Sequence, residues 1–215
     1  MILYHWAASL GLYYAAYPAL TSAFSRCSSA FQQLDNDKQA YVVSNTLKAS
    51  VLCGLCVAHT GRLYNIVNYG VWDSVPLSTC APWYAALDVV SLLRVQKMMR
   101  STFVHHVLVG LCGIYVTTFP VEEATLPGHI CVYALFSSLA FFVNGFLALR
   151  HVVDRDLRPV ARTCGIGYAG VCAAHWSFHA RSIWQFPTQL CILPVLFGGF
   201  VYDDLVLMRW LMQYN

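Results

Sequence analysis

Two adjacent histidines, His105 and His106, sit about a turn inside an apolar stretch, just after a basic cluster of Arg94, Lys97 and Arg100. Ionisable side chains are costly in hydrocarbon and usually face a bundle interior or a polar cavity, so the pair marks a candidate functional site. Neutral imidazoles that only hydrogen-bond neighbouring helices are the competing reading. Successive helix residues point about 100° apart, so the two rings are expected not to share one ion, although they could act as base and orienter. On spacing alone, a metal at this pair is not expected.

Asp88 lies in the preceding apolar segment, one turn after Tyr84, and the i, i+4 spacing puts both on one helix face. A carboxylate at that depth needs a partner, either as a buried hydrogen bond tying helices together or as the group that orients or protonates a histidine. Downstream, Ser137, Phe141 and Asn144 recur at four- and three-residue steps and can line one helix face. Arg150 then reads as the snorkelling end of that segment, with ligand binding as the alternative.

These residues need apolar helices to carry them. The chain has 215 residues, 58% hydrophobic and 11% charged, where a soluble domain has about 45–50% and about 25%. That predicts an all-α, polytopic membrane helix bundle. A span takes about 20 mostly apolar residues. Seven segments qualify: 3–24, 39–60, 78–95, 101–120, 128–150, 161–181 and 188–210. The short polar or proline-bearing links between them, such as 28–38, 69–76 and 120–128, leave no room for a soluble domain. The first span is read as retained, because it has no basic leader and no small-residue cleavage site.

Seven spans place Arg26, Lys38, Arg94, Lys97, Arg100, Arg150, Arg155, Arg158, Arg162 and Arg209 on one side of the membrane. Only Arg62 and Arg181 fall on the other, and Lys48 lies within the second span. By the positive-inside rule the richly basic side is cytosolic, so the N-terminus is expected in the lumen and the C-terminus in the cytosol. A net charge of +3 is too small to suggest nucleic acid as a partner.

The remaining polar residues read as structural. The nine cysteines are scattered, with Cys53 and Cys56 the single C-x-x-C inside an apolar run, and are read as free thiols. His59, His129, His175 and His179 fall toward the lumenal end, where interface residues or a metal set are the two readings. Asp203 and Asp204 are expected to pair with Arg209 or with basic loop residues. The last span has no lysine for a retinal Schiff base.

Taken together, the Tyr84-to-Asp88 pattern, the basic run into His105-His106 and the serine, Phe141, Asn144, Arg150 series resemble the TLC-domain family, which includes the ceramide synthases. The resemblance covers about residues 39–212. It implies an N-terminal helix and loop over 1–38 and a TLC-like domain over 39–215, with six helices forming a barrel around a hydrophobic cavity. It implies a membrane lipid or acyl chain as ligand, in the endoplasmic reticulum, with no bound cofactor or metal. In an enzyme of this kind, His105 or His106 would be the base or acyl acceptor and Asp88 its orienter. Tyr84, Ser137, Phe141, Asn144 and Arg150 would meet the substrate, acyl-CoA would be the co-substrate, and the basic loops would dock its phosphates.

Two departures qualify this. Ceramide synthases carry an H-D followed three residues later by another acid in the span after the histidine pair, and no aspartate lies between His129 and Arg150 here. The non-synthase branch often has a glutamate before the serine, where this chain has Phe136. The chain therefore resembles more closely the smaller TLC-domain proteins linked to membrane lipid composition or trafficking. Acyl transfer to a sphingoid or other lipid amine and non-catalytic lipid binding, sensing or trafficking both remain as expectations.

Overall fold

The computed structural model describes residues 2–214, and every regular element among them is a helix. In chain order these are α1 (Ile2–Cys27), α2 (Ser29–Gln32), α3 (Asn36–Tyr69), α4 (Ser74–Arg94), α5 (Arg100–Val116), α6 (Leu126–Ser138), α7 (Phe141–Leu149), α8 (Arg158–Gln185) and α9 (Leu193–Met212). One helix, Asn36–Tyr69, is long and apolar enough by itself to cross a membrane, and α6 with α7 makes a second if the bent pair is one span.

Local chemistry sets the helix ends. Asp35 caps α3 by accepting from the Lys38 amide at 2.9 Å. Gly70 closes α3 at φ 63°, a left-handed conformation that glycine adopts without steric cost. Between these caps α3 runs on through 61–69, past the expected end of its apolar segment. Thr125 caps α6 through the Gly128 amide at 3.2 Å, and a proline follows in the first turn.

The expected fifth segment is not one straight helix. α6 and α7 meet at 48° across Leu139 and Ala140. No proline is present at the bend, where Ser138 Oγ instead donates back to the Leu135 carbonyl at 2.7 Å. The continuous face expected for Ser137, Phe141 and Asn144 is therefore interrupted.

Helix contacts close into a ring. α3 packs on α4, α4 on α5, α5 on α9, α9 on α8, α8 on both halves of the bent rod, and the bent rod back on α3. α1 lies outside, against α3 and α4. Ser9 Oγ bonds the Pro82 carbonyl at 3.4 Å, and Tyr13 Oη donates to the Trp83 carbonyl at 3.1 Å. The α4–α5 crossing is tight, since a Cβ on Gly113 would lie 2.4 Å from Ala85 Cβ and 3.0 Å from Trp6 Cζ2.

The bend decides where space remains inside the ring. α6 also touches α4 and α5, so it fills one half with Leu135, Phe136 and Val132. α7 turns away from that axis, and the other half stays open.

Candidate functional site

Every rod of the ring contributes to the wall of a cavity of about 420 Å³ in the open half. Its walls carry apolar groups from Leu52, Leu87, Val143, Leu147, Val206 and Trp210. Tyr84 and Tyr133 also border it, edge-on at 6.4 Å, and Phe200 stacks on Tyr133 with ring centroids 4.5 Å apart.

Four helices bring charged or titratable side chains to one part of this wall. Lys48 comes from α3, Asp88 from α4, His105 and His106 from α5, and Asp203 from α9. Lys48 Nζ donates to Asp88 Oδ1 at 2.6 Å and lies 3.2 Å from His106 Nε2. An ammonium can only donate, so Nε2 is the acceptor and the His106 proton sits on Nδ1. That Nδ1 lies 2.8 Å from Asp88 Oδ1, yet the N–H direction misses the oxygen and no hydrogen bond forms. His105 Nδ1 stands in a similar relation to Asp203, 3.4 Å from Oδ2 and without a hydrogen bond.

The Lys48–Asp88 pair is buried, with side chains 13% and 6% exposed. Its attraction is little screened by water, and each charge depends on the other because neither is well solvated. Lys48 is thus a central residue to which the sequence alone assigned no role. A signal for it was available: a lysine within an apolar segment needs a counter-charge, and Asp88 lies inside another such segment.

His105 and His106 do not occupy equivalent positions. His106 has Nε2 engaged by Lys48, whereas His105 keeps Nε2 free of hydrogen bonds among the described residues and borders the cavity. Asp88 faces His106, and Asp203 is the carboxylate behind His105. The rings also converge more than a 100° step suggests, because one ligand atom each from Asp88, His105 and His106 lie within 4.8 Å of one another.

Of the other expected site residues, Tyr84, Ser137, Asn144 and Arg150 border the cavity. Phe141 does not border it but packs against the hydrophobic core, a consequence of the α6–α7 bend. The Arg150 guanidinium lies 4.5 Å from the Trp210 ring centroid and 5.4 Å from that of Tyr41, at the outer end of the cavity. Lys97, in the linker before α5, also borders it and pairs with Asp37 at 2.7 Å, a hydrogen bond that raises the ammonium pKa above its usual value. Arg94 points elsewhere, stacked 3.9 Å over Tyr14 of α1.

The expected pairing of Asp203 and Asp204 with Arg209 is not what the structure has. Asp203 faces His105, and Asp204 is buried, accepting from Tyr168 Oη at 2.5 Å and from Trp176 Nε1 at 3.4 Å. Arg209 follows five and six residues later, which is about 140° and 240° around the helix. Of the histidines placed toward the lumenal end, His129, His175 and His179 cluster in the filled half of the ring. His179 Nε2 lies 3.2 Å from the His129 carbonyl and Nδ1 2.9 Å from the His175 carbonyl. Among the described residues, His59 shares no ring contact with them.

Set against known proteins, the chain matches no protein-family model, no curated protein and no solved structure.

Proposed function

We propose that this chain is a TLC-type membrane barrel that holds a lipid or acyl chain in its open half and acts in lipid homeostasis. The observation that carries the reading is the cavity itself. Its volume, about 420 Å³, lies within the roughly 300–1,000 Å³ of small-molecule sites. Apolar groups make up most of its wall between the Lys48–Asp88–His105–His106–Asp203 stretch and the Lys97 and Arg150 end, which suits one acyl chain with a polar end. The outer faces support placement in a bilayer, since Leu3, Val57, Leu93, Ile166, Trp184 and Val195 are all more than half exposed, on α1, α3, α4, α8 and α9. These side chains lie on the outside of the rods and would meet hydrocarbon.

In the proposed arrangement seven rods span the endoplasmic reticulum membrane, with the bent α6–α7 pair as the fifth. The cavity opens toward the cytosol, where the loops carry most of the basic residues. A C-terminal tag should be digested in sealed right-side-out microsomes while a tag at Glu122–Glu123 stays protected. The reverse pattern would refute this orientation.

A second reading, acyl transfer from acyl-CoA to a sphingoid or other lipid amine, is favoured by the free Nε2 of His105 with Asp203 behind Nδ1, a base and its orienter. Lys97 and Arg150 at the outer end would meet the CoA phosphates. Acyl-CoA supplied with a panel of lipid amines decides between the readings. If the enzyme reading holds, His105→Gln should lower transfer by about 10²–10⁴-fold, the usual contribution of a general base, while lipid retention persists. No transfer by the wild-type protein, beside an active control enzyme, would leave lipid binding without catalysis.

A further inference from the structure

Charge does not balance at the polar stretch of the cavity. Lys48 answers Asp88, but the Asp203 carboxylate has no lysine or arginine partner among the described residues, only the imidazole of His105. Two buried nitrogens, Nδ1 of His105 and Nδ1 of His106, each stand close to a carboxylate oxygen and hydrogen-bond to nothing. His106 itself is more than nine-tenths buried, at 7% exposure. A ring nitrogen this close to a carboxylate oxygen attracts it, but without a well-directed hydrogen bond the contact is left incomplete. It suits two donors that converge on a cation between them.

The spacing agrees for one of the two pairs. Ligands at about 2.0–2.1 Å around a tetrahedral ion stand about 3.3–3.4 Å from one another. His105 Nδ1 and Asp203 Oδ2, 3.4 Å apart, match it, whereas His106 Nδ1 and Asp88 Oδ1, 2.8 Å apart, would have to part by about 0.5 Å to share one ion. Asp88, His105 and His106 each offer a ligand atom within 4.8 Å of the others, and Asp203, which lies outside that set behind His105, would have to swing toward it to complete the site. Two imidazoles with two carboxylates is a donor set suited to Zn²⁺.

We propose that Asp88, His105, His106 and Asp203 form a binding site for a divalent cation of the Zn²⁺ class, which Lys48 occupies as a displaceable counter-ion when no metal is bound. Lys48 Nζ already sits 2.6 Å from the Asp88 oxygen that would ligate. Metal entry displaces the ammonium, and the proton now on His106 Nδ1 leaves, since an imidazole nitrogen ligates only when deprotonated. The freed Nε2 can then carry a proton. No group is oxidised or reduced. The site does not depend on the lipid reading, because its ligands and its test involve no lipid.

The test uses the full chain in detergent, stripped with a chelator and titrated with Co²⁺ and then Zn²⁺. Co²⁺ should give the visible ligand-field bands of a four-coordinate site, and Zn²⁺ should abolish them at about one equivalent. Asp203→Asn and His105→Ala remove ligating atoms and should weaken Zn²⁺ by more than the roughly 10–100-fold typical of an outer-shell partner. Lys48→Met should tighten binding, a direction that a structural role for the lysine does not produce. Lys48→Gln serves the same purpose if the methionine variant does not fold. Absence of the Co²⁺ bands from folded wild-type protein, or Zn²⁺ affinity unchanged in folded Asp203→Asn and His105→Ala, would overturn the proposal and leave His105 as a simple partner of Asp203. Lipid content measured by mass spectrometry on the same samples keeps a failure here distinct from a failure of the lipid reading.

Discussion

Asp88→Leu is expected to destabilise the protein by about 3–5 kcal/mol, because it leaves the Lys48 ammonium buried without its carboxylate. The two side chains are 6% and 13% exposed and 2.6 Å apart, so water compensates the lost partner poorly. For a chain of this length each kcal/mol moves the midpoint by about 2–4 °C, so a fall on the order of 10 °C should be seen in a detergent-solubilised melt. Adding Lys48→Met to Asp88→Leu should recover most of that loss, since replacing a buried ion pair by apolar groups of similar volume is often neutral or stabilising. His106 would lose the Lys48 bond as well, which limits the recovery. A double variant as unstable as the sum of the two singles would show that the pair is not coupled.

The helices were readable in advance because long apolar runs have few alternatives, although only α3, or α3 and the bent pair, is long and apolar enough to cross a membrane. Each of the seven expected segments falls largely within one helix or the bent pair. Asp88, His105 and His106 were also readable as residues, since ionisable groups stand out in apolar sequence. Their partnerships were not. Which face of α3 meets α4 follows from tertiary packing, so the sequence offered Asp88 as a possible counter-charge for Lys48 but not the contact itself. Asp203 and Asp204 were matched with Arg209 by nearness along the chain, although helical geometry turns Arg209 to another face and leaves Asp203 for His105. The place of Phe141 turned on a bend that no proline announces, marked only by the serine pair Ser137-Ser138.

That bend creates the open half of the ring, and filling the space should have the second large effect. Ser137 and Asn144, on α6 and α7, both border the cavity and are only partly buried. Ser137→Phe or Asn144→Trp would project a ring into the space an acyl chain would take. Because the ring enters open volume, the fold should suffer less than the about 1–3 kcal/mol typical of overpacking a filled core. Ligand occupancy should fall by about tenfold or more, equivalent to at least about 1.4 kcal/mol of binding free energy. Phe141→Trp is the matched control, since Phe141 is partly buried against the core and not on the cavity wall.

Native mass spectrometry of the purified protein, released from detergent, reads that occupancy most directly. A lipid-holding barrel predicts a wild-type mass increased by a lipid or acyl chain, with the adduct lost in Asn144→Trp and kept in Phe141→Trp. Wild-type protein that flies at its bare chain mass after purification in mild detergent with added lipid, or an adduct that Asn144→Trp leaves in place, would contradict it.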